Sequence, residues 1–213
     1  MSSHTYFNDV AGQWDQMRAS FFSDAVRDQA IAAARVEPGK LAADIGAGTG
    51  FVTEGLVKLG VRVIAVDQSE AMLAEIETKF PGSNAVDVRL AHGDVIPVAD
   101  ATVDYVFANM YLHHVEEPPQ AIAEMIRVLK PGGRLVITDL DEHDFEFLRN
   151  EHHDRWLGFR RSDLDGWLRS AGLHHVTVVS TSERCSSTSA EGPATAAIRI
   201  FLASGQKQET GHR

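Results

Sequence analysis

The 213-residue chain is short of several things, and each shortage excludes something. Cys185 is its only cysteine, so neither an intrachain disulfide nor a multi-thiolate zinc site can form. Basic residues are outnumbered, 20 Lys plus Arg against 30 Asp plus Glu, and the net charge of −10 repels phosphate backbones and anionic lipid over long range. Neither nucleic acid nor a membrane surface is an expected partner. No run approaches the ~18 apolar residues of a membrane span. The opening Met-Ser-Ser-His-Thr-Tyr lacks the basic-then-apolar pattern of a secretory signal, so a cytoplasmic setting is expected. Aromatics are scarce in the middle of the chain: of sixteen, five fall in residues 1–22 and five in 143–167. What is plentiful is core material, with 44% hydrophobic and 23% charged residues. That composition and length predict one globular domain with at most a small appended lobe.

From residue 41 onward, short β-rich runs alternate with segments of helical period, the pattern of a layered α/β domain with a largely parallel sheet. Strands are predicted at Leu41–Ile45, Val61–Val66, Val86–Ala91, Val103–Asn109, Arg134–Thr138, Val176–Thr181 and Ala196–Ala203. Between them Val52, Leu56 and Leu59 form one apolar stripe, Met72, Leu73 and Ile76 a second, and Ala121, Ile122, Met125, Ile126 and Leu129 a third. Ser69 is placed to cap one helix, Pro118-Pro119 to open another, and Lys130-Pro131-Gly132-Gly133 reads as a stop and a turn. The polar connection Ser182–Thr195 is too short for a crossover helix, so the last two strands are expected to form an antiparallel hairpin at one sheet edge. The expected organisation is a helical cap over 1–40, the main domain over 41–203 and a polar tail over 204–213.

The informative segment is Asp44-Ile45-Gly46-Ala47-Gly48-Thr49-Gly50, directly after a strand and before a helix. Glycine there permits a tight turn and close approach of a ligand to backbone amides, and the helix start offers unpaired N–H groups. Asp67 ends the second strand, where an acidic side chain can accept both hydroxyls of a ribose. A dinucleotide fingerprint needs its third glycine at position 51, which is Phe51 here, so a nicotinamide-dependent oxidoreductase is disfavoured. A third carboxylate, Asp94, follows in Gly93-Asp94-Val95.

With Val66-Asp67-Gln68-Ser69, the run ending before Leu112-His113-His114, and Arg127-Val128-Leu129-Lys130-Pro131-Gly132-Gly133, these motifs resemble a class I S-adenosylmethionine-dependent methyltransferase, within its type 11 and ubiquinone-biosynthesis-like group. The resemblance implies a Rossmann-like three-layer sandwich with a seven-stranded, mostly parallel sheet and an antiparallel edge hairpin. It also implies methyl transfer from S-adenosylmethionine to a small-molecule acceptor, by a monomer or homodimer. Carried over by position, Gly46, Ala47, Gly48 and Gly50 serve the methionine and ribose portion, Asp67 the ribose, Asp94 with Val95 the adenine, and Gln68 and Met72 flank the adenosine. Asn109 and Met110 lie near the sulfonium. Asp44 holds the turn and meets the methionine amino group through water, and Arg18 reaches the methionine carboxylate.

For an acceptor that must lose a proton, His113, His114 and Tyr111 are the candidate bases. A cofactor-binding module without catalysis is the alternative, because every specific motif addresses the cofactor. His143, Asp144, His152, His153 and Asp154 form a second polar concentration, read as a solvated helix face, and no metal site is expected. Residues 139–165 carry nine acids against four arginines, a local −5 that favours a cationic or neutral acceptor. Trp156-Leu157-Gly158-Phe159 is the expected substrate cover. Residues 1–22 and 143–167 are both expected to flank the carboxyl ends of the strands.

Overall fold

The structure, a computed structural model, describes residues 3–91 and 95–209, so Asp94 lies outside the described residues. In chain order the elements are α1 (Ser3–Val10), a 3₁₀ turn (Ala11–Gln13), α2 (Trp14–Phe21), α3 (Ala25–Ala34), β1 (Leu41–Ile45), α4 (Phe51–Lys58), β2 (Arg62–Asp67), α5 (Glu70–Lys79), β3 (Val86–Leu90) and β4 (Val103–Asn109). A second 3₁₀ turn (Leu112–His114) follows, then α6 (Pro118–Val128), β5 (Leu129–Leu140), α7 (Phe147–Glu151), α8 (Arg161–Ser170), β6 (Leu173–Thr188) and β7 (Thr195–Lys207). Local chemistry sets several of these boundaries. The Ser69 hydroxyl accepts the Met72 N–H at 3.1 Å and caps α5, and the proline pair opens α6 with preset φ angles.

The seven strands form one sheet in the order β3-β2-β1-β4-β5-β7-β6. β1 through β5 pair in parallel, and β7 runs antiparallel to both β5 and β6. Because side chains alternate across a strand, the sheet has two apolar faces. One, including Ile45, Ile64, Val106 and Ile137, is covered by Ile122 and Met125 of α6 and Leu164 and Leu168 of α8. The other, including Ala42, Val63, Phe107 and Val136, is covered by Val26 and Ile31 of α3 and Val52 and Leu56 of α4. On this second face α5 adds Leu73 and Ile76 against Ala65. This is the three-layer sandwich that the motifs implied. α3 belongs to it, which leaves α1 and α2 as the helices outside the layers.

Three boundaries differ from the sequence reading. β5 begins at Leu129, ahead of the expected Arg134, because Lys130–Gly133 loops out within the strand: Leu129 pairs with Val103 and Arg134 already with Tyr105. The edge hairpin is far longer than expected, its two strands continuing through most of the segment taken as a loop, and only 189–194 turn. The supposed tail starts as strand, since β7 runs to Lys207, whose ammonium donates to the carbonyls of Ile126 and Leu129 at 2.7 Å each. These carbonyls lie at the carboxyl end of α6 and the start of β5, where the helix dipole favours a cation. Among the described residues no helix is long and apolar enough to cross a membrane.

The order of the sheet reverses between β1 and β4. At that point the loops leaving the two strands part to opposite faces and open a crevice at their carboxyl ends.

Candidate functional site

A cavity of about 410 Å³ occupies this crevice. One end is built on the sheet. Gly46 has φ +67°, and a Cβ there would collide with the Tyr111 ring, so glycine is required both by the backbone and by the close packing of that ring. The N–H groups of Gly46 and Ala47 donate to the Val66 carbonyl at 2.9 and 3.0 Å, tying the turn to β2. Asp67 continues this tie: its carboxylate accepts the N–H of Gly48 at 2.8 Å and of Ser69 at 2.9 Å while lining the cavity. Met110, which follows β4, holds a left-handed φ of +51°, a strained conformation of the kind that concentrates at functional sites. The Thr138 hydroxyl donates to Asn109 Oδ1 at 2.8 Å and fixes that side chain at the strand end.

Asp44 sits behind the wall. Fully buried, it accepts the N–H and hydroxyl of Thr53 at 2.9 and 2.7 Å and so holds the first turn of α4 against β1. Burial pushes its carboxyl up to about 6, opposed by the Thr53 hydrogen bonds and reinforced by the charge of Asp67. Neither Asp44 nor Gly50 is among the residues that line the cavity, whereas Gly46, Ala47, Gly48, Asp67, Gln68, Met72, Val95, Asn109, Met110, Tyr111, His113, His114 and Arg18 all are.

α1 and α2 close this end from above. Asp15 accepts the Thr49 hydroxyl and pairs with Lys79, both at 2.5 Å, and Asn8 accepts the Ser69 hydroxyl at 2.6 Å. Phe7 and Trp14 meet edge to face with centroids 5.4 Å apart and both line the cavity. Arg18 stacks on Phe51 at 4.1 Å, donates to the Phe22 carbonyl at 3.3 Å and pairs with Asp24 at 3.4 Å. Its Nε is buried and has no hydrogen-bond partner. A buried N–H of this kind costs about 1–3 kcal/mol unless something accepts from it.

The other end is built from side chains of distant segments. His113 is sandwiched: Nδ1 lies 2.7 Å from Asp139 Oδ1, and Nε2 lies 3.7 Å from Asp154 Oδ1. Asp139 is itself pinned by the N–H groups of Leu112 and Leu140, at 2.8 and 2.7 Å. Burial alone would push the His113 imidazole down, but the two carboxylates outweigh it and raise it to about 9. His114 goes the other way: burial, then the charge of the neighbouring His113, hold it well below the usual imidazole range. Its Nδ1–H donates to the His153 carbonyl at 3.4 Å. His152 Nε2 lies 3.0 Å from the Ser187 hydroxyl of β6.

This corrects the reading of 152–154 as a solvated helix face. α7 stops at Glu151, and His153 turns the chain with φ +59°, which directs Asp154 inward to 5% exposure. Ligand atoms of His113, His114 and Asp154 converge within 4.8 Å, the convergence that spacing could not display. The expected cover at Trp156–Phe159 is also displaced. Phe159 is buried against the α6 and α8 face, its N–H donates to Leu140 at 2.9 Å, and it accepts from Glu142 at 3.0 Å, so this segment extends the sheet rather than lining the cavity. Leu148, His152, Asp154 and Arg155 line it instead.

Sequence reasoning missed Asp139, Asp154, Ser187 and Cys185 as parts of the site. Asp139 had a signal, an acid near the carboxyl end of the fifth strand; Asp154 stands in the polar concentration over 143–154, which reads as solvated, and Ser187 and Cys185 had none. Cys185, assigned to a polar loop, lies on β6 facing the cavity, where burial pushes its thiol up to about 12 and leaves it unreactive. Arg127, quoted only as part of a motif, donates to the carbonyls of Ile96 and Val98 at 2.9 Å each and so positions Ile96 on the wall.

Residues 43–137 match the methyltransferase-domain family. Over 135 residues the chain is 37% identical to a demethylmenaquinone methyltransferase of Thermobifida fusca, covering 62% of this chain and 55% of that one. Over 149 residues it is 32% identical to the biotin biosynthesis bifunctional protein BioHC of Cellvibrio japonicus, covering 66% and 29%. The chain therefore spans little more than half, or less, of these relatives' own length. A SAM-dependent methyltransferase from Aquifex aeolicus has the same fold, with a TM-score of 0.67 over 92% of this chain and 97% of that one at 22% identity.

Residues 43–137 are thus a methyltransferase domain, and the Aquifex aeolicus protein of the same fold uses S-adenosylmethionine.

The methyltransferase cavity suits that cofactor on its own chemistry. The unpartnered Arg18 Nε offers a donor for a carboxylate, the Gly46–Gly48 turn leaves room against backbone, and Asp67 supplies an acceptor beside it.

Proposed function

We propose that the protein transfers a methyl group from S-adenosylmethionine to a small-molecule acceptor by in-line displacement. The observation that carries this reading is the continuity of one cavity from the Gly46–Gly48 turn to His114 and Asp154. The cofactor supplies an electrophilic methyl carbon on its sulfonium, so the protein's task is to align the acceptor with it and exclude water. In this reading Asp67 accepts the ribose hydroxyls, Gln68 and Met72 flank the adenosine, and Val95 with Asp94 meets the adenine. Arg18 receives the methionine carboxylate. Asn109 and Met110 border the sulfonium, and the aromatic rings of α1 and α2 keep the site dry.

For an acceptor that loses a proton, His114 is the base. A base must be unprotonated at the working pH, which His114 satisfies and His113, charged between two carboxylates, does not. Tyr111, packed on the glycine turn, acts by shape.

Calorimetric titration with S-adenosylhomocysteine and, separately, with NAD tests the assignment. Binding of the first alone is expected, and binding of neither overturns the reading. Asp67→Ala is expected to weaken S-adenosylhomocysteine about tenfold or more, from the loss of hydrogen bonds to a charged group at roughly 1.5–3 kcal/mol. Unchanged affinity removes Asp67 from the ribose.

A further inference from the structure

Imidazole and carboxylate donors from three residues converge at the histidine end of the cavity. His113, His114 and Asp154 each bring one ligand atom into a group spanning at most 4.8 Å. An ion bonded at about 2.0–2.2 Å sets its neighbouring donors roughly 3–3.5 Å apart, so side-chain rotations of about an ångström close the set. His113 Nε2 and Asp154 Oδ1 are already 3.7 Å apart.

The surroundings of these groups are those of metal ligands. His113 gives its other ring nitrogen to the Asp139 carboxylate at 2.7 Å, and Asp139 is immobilised by backbone N–H groups of its own. This is the carboxylate–histidine arrangement that fixes ring orientation behind a metal. His114 is held in the same manner by a backbone carbonyl, that of His153. His113 and Asp154 are buried, at 4% and 5% exposure, so the donors are ordered in advance. All three residues line the cavity, which leaves further coordination positions open to a small molecule.

We infer that His113, His114 and Asp154 bind a divalent transition ion of the zinc class, with Asp139 as the outer group that orients His113. Two imidazoles and one carboxylate suit zinc, iron(II) or cobalt(II) and disfavour magnesium and calcium, which prefer oxygen donors. Binding of the ion displaces the Nε2 proton of His113 to solvent; with the ion in place His114 is a ligand, and a coordinated hydroxyl or enol releases its proton to solvent rather than to free imidazole. The acceptor class this names is an oxygen acceptor, a hydroxyl or enol. That last step rests on the methyl-transfer reading; the ion site does not.

The test is titration of the chelator-treated full chain with zinc chloride, followed by calorimetry, with S-adenosylhomocysteine binding measured on the same samples. One equivalent of zinc is expected, weakened at least tenfold in both Asp154→Asn and His114→Gln and by about 10–100-fold in Asp139→Asn. Retained S-adenosylhomocysteine affinity in these variants reports that they are folded. Absence of a stoichiometric site, or zinc binding equal in wild type, Asp154→Asn and His114→Gln, as surface histidines would give, overturns the inference. Zinc binding without S-adenosylhomocysteine binding keeps the ion site and removes the methyl-transfer reading.

Discussion

The two ends of the cavity are built by different means. The glycine end is backbone: a turn with positive φ at Gly46, a helix start held by Asp44, and N–H groups tied to Val66 and Asp67. The histidine end is side chains brought from residues 113–114, 139, 152–154 and 185–187, held by ion pairs and buried hydrogen bonds. A backbone site tolerates little change in shape and recognises one ligand. A side-chain site can change its acceptor by substitution while the sheet beneath stays as it is, because loops carry the specificity of a scaffold.

The contrast can be broken most forcefully at Asp139. Asp139→Asn leaves the buried His113 without its nearest carboxylate, and removing one partner of a buried pair costs about 3–5 kcal/mol. Chemical unfolding is expected to report a loss of that order while S-adenosylhomocysteine still binds the folded fraction. A loss under about 1 kcal/mol means that the pair does not hold this end together.

At the glycine end the corresponding charge is Asp44, and its signature is in pH. Its carboxyl stands at about 6 in the fold against an ordinary 3.8, so between those values the folded chain binds the extra proton and the unfolded chain does not. Stability from this group is therefore full below about pH 4 and falls as pH rises through about 6, by roughly 3 kcal/mol in all. Thermal melts of wild type and Asp44→Asn across this range are expected to differ in that direction. Parallel curves remove Asp44 as the cause.

Turnover sharpens the comparison next. His114→Gln is expected to lower methyl transfer to a proton-losing acceptor about 10²-fold with S-adenosylhomocysteine affinity unchanged. Equal losses in turnover and cofactor affinity mean that the two ends are not separable. The smallest effect is expected at Arg18. Arg18→Met keeps the packing on Phe51 but removes the unpartnered Nε, and the affinity for S-adenosylhomocysteine, measured by calorimetry, is expected to drop about tenfold.

Legibility in the sequence followed the same division. β1, β2 and β4 were readable because they are buried on both faces and appear as apolar runs, and the turn after β1 because its glycines stand together in the chain. The hairpin length was not readable: residues 182–188 are polar, yet they pair as strand because β7 offers backbone partners across the turn. Lys130–Gly133 carried a true stop signal for α6 but hid the start of β5, since pairing with Val103 wins over local turn preference. Asp154 follows a short polar helix and looks solvated. It is buried because His153 turns the chain toward His113.

Sequence alone determined the α/β alternation, the glycine turn with its two aspartates and the family, because each is written in residues close together and governed by local backbone and periodic burial. Tertiary structure decided the histidine end: which of two adjacent histidines is charged, where Asp139 and Asp154 meet them, and that β6 reaches the cavity. Those outcomes depend on distance and desolvation between segments far apart in the chain, and spacing in a sequence carries neither.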